Sequence, residues 1–195
     1  MTAVDGPGIT ADVVYQRAVA EYGEDNVGAE QLGIVYQQMM SAETRVKRAA
    51  YYTPEQVAES MARFVFQELA LDKVGPAPEQ VMRICAIDPA CGAGIFLVHA
   101  ARQLSIAYAT RLLAGAEPSG DLVFAVMPRV ILNCVFGVDL DPVAVDLARL
   151  AVSLETAGTL TPAMLEGHII VGNVLEGDLP PAYPVPNPPE SGAES

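Results

Sequence analysis

The chain has 195 residues, 51% of them hydrophobic, which is enough to build the core of one domain and excludes disorder over the whole length. Its 24 acids against 11 bases give a formal net charge of −13, so charge alone argues against a direct grip on a phosphate backbone. No apolar stretch approaches the ~20 residues a membrane helix needs, and the opening MTAVDGPGIT has neither the basic nor the apolar region of a secretory signal.

In chain order, residues 1–9 form a flexible N-terminus around Gly6, Pro7 and Gly8. Residues 10–22 and 29–42 read as helices within a helical extension over 10–50. The second places Leu32, Val35, Tyr36 and Met39 on one apolar face. TRVKR (44–48) is a small basic island, read as a solvated helix face with a phosphate contact as the alternative. At YYTPEQ a further helix begins, with Thr53 as N-cap, Pro54 in the first helical position and Gln56 completing a capping box. Val57, Met61, Phe64, Val65 and Leu69 are its expected buried stripe, and Gly75 and Pro76 end it.

A strand over 82–88 runs into DPACGAG, and a helix over 94–114 follows. EPSG (117–120) separates it from another helix over 121–133. CVFGVDLDP (134–142) is a short strand ending in acids. Asp141 then caps and Pro142 starts a helix whose apolar surface is Val145, Leu147, Ala148, Ala151, Val152 and Leu154. GHIIVGNVLEG (167–177) contains a third strand, and 180–195 is a proline-rich tail. Strands alternating with helices predict an α/β fold: a Rossmann-like, doubly wound, mainly parallel sheet behind an N-terminal helical extension.

In such sheets ligands bind beyond the carboxyl ends of the strands. Here those ends read DPACGAG, DLDP and GN. A phosphate-binding P-loop is excluded because no lysine follows the glycines, and G-x-G-x-x-G fails at Phe96 and Leu97. Asp88 ahead of the loop would repel a pyrophosphate and attract a cation, which favours S-adenosylmethionine with its sulfonium and ammonium groups. Gly92 and Gly94 either let the main chain approach that ligand or serve the packing of a strand-to-helix turn. Asp139 is placed to accept from a ribose diol or to end a strand in solvent, a capping role that suits Asp141 better. Asn173 is placed at an adenine edge or in a turn. Cys85, Cys91, Cys134, His99 and His168 lack ligand spacing, so no metal site is expected, and a reducing, cytoplasmic setting fits. Cys91 reads as a small loop residue and His99 as a packed helix residue.

Taken together, YYTP, DPACGAGIFLVHA, VFGVDLDPVAVDLARL and GNVL, in that order, resemble the amino-terminal half of adenine-N6 DNA methyltransferases. The resemblance is strongest to the large restriction-modification and phage-defence enzymes, runs from about residue 30 to 177, and extends to LGIVYQQMM (32–40), which is similar to the helix before YYTP. It implies an S-adenosylmethionine-binding methyltransferase domain, partial in this chain, over 51–179. Tyr52, Thr53 and Pro54 would lie against the methionine part of the cofactor. Asp88, Pro89, Ala90, Gly92 and Gly94 would form its loop, with Phe96 behind, Asp139 on the ribose and Asn173 at the adenine. The family positions its target base with Asn-Pro-Pro-aromatic; here Asn187, Pro188 and Pro189 precede Glu190, which cannot stack on a base. Either this is a degenerate target-base motif or NPP arose by chance in a proline-rich tail. The expectation is a truncated or split DNA methyltransferase that engages DNA with a second methyltransferase or specificity subunit. The alternatives are an inactive cofactor-binding subunit and an enzyme that methylates protein or a small molecule.

Overall fold

Parallel strands cannot be joined by tight turns, so each connection must climb back across the sheet, and this chain uses helices for both climbs. The computed structural model describes residues 8–47, 53–71 and 74–184. Strand β1 (Ala86–Asp88) leads through helices α6 (Ile95–Leu112) and α7 (Gly120–Cys134) to β2 (Val135–Asp139). From β2, helix α8 (Pro142–Glu155) leads to β3 (Ile169–Val171). Among the described residues, five α-helices precede β1: α1 (Ala11–Tyr22), α2 (Ala29–Met39), α3 (Ala42–Lys47), α4 (Glu55–Phe64) and α5 (Pro78–Val81).

The sheet has the order β1-β2-β3, all parallel. Ala86 pairs with Val135 and Asp88 with Gly137; Gly137 pairs with Ile169 and Asp139 with Val171. The carboxyl ends of all three strands therefore gather on one edge. Among the described residues the order runs one way, without the reversal that defines a doubly wound sheet, and the outer edge of β1 is unpaired.

Helix α6 lies directly on β2. A Cβ built on Gly137 would stand 2.8 Å from Leu97 Cδ1 and 3.1 Å from Cys91 Sγ. Such an approach needs a helix apolar on nearly every side, and Leu97, Val98, Ala101, Leu104 and Tyr108 of α6 are all buried. On the other face, Phe136 stacks on His168 with centroids 5.2 Å apart and takes Tyr183 edge-on at the same distance. Ala182 N–H donates to Gly167 O at 3.0 Å, so the first turn of the proline-rich stretch packs beneath the sheet. Helices α1 and α2 pack on α8, and Val14, Ala18, Leu32 and Val35 share one core with Leu147 and Val152.

Most expected elements form, with shorter bounds. The strand expected over 82–88 narrows to Ala86–Asp88, because Pro78 starts a short helix whose turn runs through Met82 and Arg83. The helix expected over 29–42 ends at Met39, and α3 is separate. Two expectations about α4 are corrected. Pro54, with ψ 138°, is still extended and occupies the cap position; neither Thr53 nor Gln56 caps the helix. The exposed Glu55 N–H is instead taken by Glu30 Oε1 of α2 at 3.1 Å, a cap supplied from another helix. Val57, Met61, Phe64 and Val65, expected to be buried, are 44% to 61% exposed. The buried side is Ala58 and Ala62, small residues that let α4 sit close on α6, followed by Phe66 in the π-helical turn Val65–Ala70. The side chain of Leu69 is outside the described set.

The contact at Gly137 sets a stability test. Gly137→Ala should lower the urea midpoint by the equivalent of about 1–3 kcal/mol, the usual cost of overpacking a well-filled core. An unchanged midpoint would mean that α6 does not press on β2 as described.

Candidate functional site at the strand tips

Beyond Asp88 the main chain folds back over the sheet. Ala90 N–H donates to Asp88 Oδ1 at 3.1 Å, closing a short turn. Cys91 N–H donates to Val138 O at 3.0 Å, and Gly94 N–H to Cys91 O at 2.8 Å, just before α6 begins. The two glycines do different work. Gly94 has φ +87°, and a Cβ there would meet Ala148 Cα at 3.0 Å, so its bareness lets the loop rest on α8. Gly92 has φ +52°, and a Cβ added there would meet nothing within 4 Å, so this turn faces open space.

Asp139, the last residue of β2, holds that turn. Its Oδ2 accepts the Gly92 N–H at 2.8 Å and its Oδ1 accepts the Asp141 N–H at 2.9 Å. Asp141 in turn caps α8 through Val143 N–H at 3.1 Å and accepts from the Tyr36 hydroxyl of α2 at 2.6 Å. Each Asp139 oxygen keeps a further lone pair for another donor. Burial, with Asp139 nearby, pushes the Asp88 carboxyl above its usual range, against the opposing hydrogen bond from Ala90. Burial and the same two acids raise the Cys91 thiol, which is therefore inert at neutral pH. Among the described residues, the tips of β1 and β2 thus carry negative charge without a cation in hydrogen-bond contact, an arrangement suited to a cationic ligand.

Asn173 follows β3, where Gly172 N–H donates to Asp139 O at 3.0 Å and so keeps this tip beside β2. Its side chain makes a turn: Oδ1 accepts from Leu175 N–H at 3.1 Å and Nδ2 donates to Glu176 Oε1 at 2.9 Å. Leu140 and Leu175, just past adjacent strand ends, are 71% and 96% exposed. Motif reasoning misses both; the available signal is an apolar residue between polar ones at a strand tip, DLDP and NVLE.

Thr53 and Pro54 open the segment that packs α4 on α6, and Phe96 is half-buried in the first turn of α6. Pro89 and Ala90 are exposed on the loop. Tyr52, Asn187, Pro188, Pro189 and Glu190 lie outside the described residues. His99 is buried on α6, and burial followed by the Arg102 charge lowers its pKa, leaving it neutral at pH 7. Arg102, which no sequence motif marks, joins Glu55 of α4 to Glu155 of α8. A shallow cleft of about 340 Å³ beside Asp12, Tyr15, Asp146 and Glu166 includes no strand-tip residue. Among the described residues that line it the one cation is Arg149, which is engaged by Asp146 and Ile169 O.

Comparison with known proteins bears on this site. Residues 28–176 match the N-6 DNA methylase family. The adenine-specific methyltransferase PglX of Streptomyces coelicolor is 34% identical over 130 residues, which is 65% of this chain and 9% of that protein's length. No solved structure matches.

The separate roles of the glycines are testable by urea unfolding. Gly92→Ala should cost about 1–2 kcal/mol, the left-handed backbone penalty alone. Gly94→Ala should cost about 2–5 kcal/mol, since overpacking against Ala148 adds to that penalty. Equal losses would remove the packing role assigned to Gly94.

Proposed function

Because the chain belongs to the N-6 DNA methylase family, we propose that its strand tips form the S-adenosylmethionine site of an adenine-N6 DNA methyltransferase. The observation that carries this reading is the pair of acids, Asp88 and Asp139, around a turn whose Gly92 faces open space. The residues fit the ligand: half-buried negative charge meets the ammonium and sulfonium, and free carboxylate lone pairs on Asp139 meet the ribose diol. Leu140 and Leu175 offer apolar surface to the adenine ring, with Asn173 at its edge. Thr53 and Pro54, with Tyr52, lie along the methionine part; Pro89 and Ala90 complete the loop and Phe96 backs it.

When bound, the cofactor supplies an electrophilic methyl group. The protein's part is positioning: it holds that group in line with an adenine amine and excludes water. The Asn187 side chain and a carbonyl of Pro188 or Pro189 would accept from the amine of a base turned out of its stack. No covalent enzyme intermediate and no metal are needed.

The net charge of −13 opposes approach to DNA, so target engagement falls to another, basic domain or to a second methyltransferase or specificity subunit. Among the described residues the outer edge of β1 is unpaired, which supports a further strand-bearing segment there, one that would complete a doubly wound, Rossmann-like sheet. Since the chain spans 9% of the length of PglX, such a segment can belong to the same longer polypeptide. A second reading, a subunit that binds the cofactor without turnover, is favoured by one feature: Glu190 stands where the family stacks an aromatic ring.

Calorimetry with S-adenosylmethionine, followed by transfer of labelled methyl to adenine-containing DNA, separates these readings. Binding with label in DNA supports the enzyme; binding without label in any acceptor supports the subunit; label in protein selects a different substrate class. Absence of binding contradicts both.

Asp88 supplies a further prediction with opposite signs for ligand and fold. Its raised pKa means that the ionised form is disfavoured in the folded state. Stability from its proton is thus present below the ordinary carboxylate value and lost as pH rises through the raised one. Asp88→Asn should therefore raise the melting temperature of the ligand-free protein at pH 7 while weakening S-adenosylmethionine binding. In the unmodified protein, affinity should fall as pH drops through the raised pKa. A variant with unchanged affinity would remove Asp88 from the site.

A further inference from the structure

Where the chain passes from Thr53 and Pro54 into α4, four helices are tied together by charge. The Glu55 N–H donates to Glu30 Oε1 of α2 at 3.1 Å, and Gln31 Nε2 steadies Glu30 Oε2 at 3.1 Å. The Glu55 carboxylate accepts from Arg102 Nη1 of α6 at 3.3 Å. Arg102 is itself gripped by Glu155, near the end of α8: Nε donates at 2.8 Å and Nη2 at 2.7 Å, a two-pronged contact. One turn earlier on α6, His99 is 3% exposed, with Nε2 4.0 Å from the same Glu55 oxygen and without a hydrogen-bond partner among the described residues.

Stability is a weak reason for this arrangement. Arg102 and Glu55 are 39% and 44% exposed, and ion pairs that wet contribute little to folding. Geometry is the stronger one. Because Glu155 occupies Nε and Nη2, the plane of the group is set, and with it the direction in which Nη1 reaches Glu55. Glu55 directly follows Pro54, so fixing its two ends, N–H and carboxylate, fixes the course of the preceding pair.

We propose that Arg102 is a positioning residue for the methyl donor: acting through Glu55, it holds the Thr53–Pro54 segment against the methionine half of S-adenosylmethionine. The proposal rests on the cofactor site assigned above. Arg102 touches no ligand in this scheme; its effect passes through a carboxylate on the next helix. The adenosine half, held at the tips of β2 and β3, does not depend on it.

That division provides a test a purely structural role would not pass. S-adenosylmethionine and adenosine are titrated by calorimetry into the unmodified protein, Arg102→Met, Arg102→Lys, Glu55→Gln and the Met/Gln double variant, with thermal unfolding recorded for each. Arg102→Met and Glu55→Gln should each weaken S-adenosylmethionine binding about tenfold, the scale expected when a contacting segment is slightly misplaced. Adenosine affinity should stay unchanged. The double variant should bind no more weakly than either single one, since the two act in series. Arg102→Lys keeps the charge without the planar fork and should lose affinity too; it carries the comparison if the Met variant fails to fold. Equal S-adenosylmethionine affinity in the unmodified and Arg102 variants, or a parallel loss for both ligands, overturns the proposal. An unmodified protein that binds neither ligand overturns the site assignment itself, and the proposal with it.

Discussion

The carboxylate of Asp139 accepts one main-chain N–H from the β1 loop and another from the start of α8, and the geometry of the strand tips follows from those two bonds. The first adds to the bond from Cys91 N–H to Val138 O in holding the turn at Gly92 over the sheet. Without the second, the link between β2 and the capped end of α8 would loosen. The chain of contacts continues outward through Asp141 to the Tyr36 hydroxyl, so the N-terminal helices are coupled to the same corner. One acid at the end of a central strand thus joins the loop, the sheet, α8 and α2.

The same corner is electrically unbalanced. Asp88 and Asp139 face each other's field in a partly dry setting, and the hydrogen bonds that they accept come from neutral amides. A neutral amide eases a buried carboxylate but does not cancel its charge. A cationic ligand would. This is why we propose a sulfonium nucleoside at this site in preference to a phosphate, and why the acidity of the chain suits that proposal even though it opposes DNA. The proposed function thus makes two opposed demands, acids at the tips for the methyl donor and bases elsewhere for the nucleic acid, and a net charge of −13 suits the first.

Much of this was legible in the sequence because the signals were local. Asp141 and Pro142 mark the start of α8 within two residues, and the structure shows that cap. The apolar face of α2, with Leu32, Val35 and Tyr36, is buried as its spacing predicts. The packing reading of the glycine loop holds at Gly94, whose bareness lets it rest on Ala148, while Gly92 faces open space. The losses were nonlocal. Glu30 caps α4 from 25 residues away, Arg102 reaches Glu55 across 47 and Glu155 across 53, and Tyr36 reaches Asp141 across 105. Periodicity showed that α4 has an apolar stripe but carries no information about which face meets α6; the small side of the helix, Ala58 and Ala62, packs instead. Asn173 displays the limit at the site itself: a turn role and a ligand role use the same side chain, and residue type alone does not separate them.

The central claim is that three neighbouring strand tips share one ligand. Amide spectra of the isotope-labelled protein, recorded while S-adenosylmethionine is added to millimolar levels, address it directly. The account expects shifts concentrated at Ala90 to Gly92, Asp139 to Asp141 and Gly172 to Leu175, moving together with one apparent affinity, while amides of α1 stay still. Shifts centred on the cleft beside Asp12, Asp146 and Glu166, or no shifts at all, would contradict it.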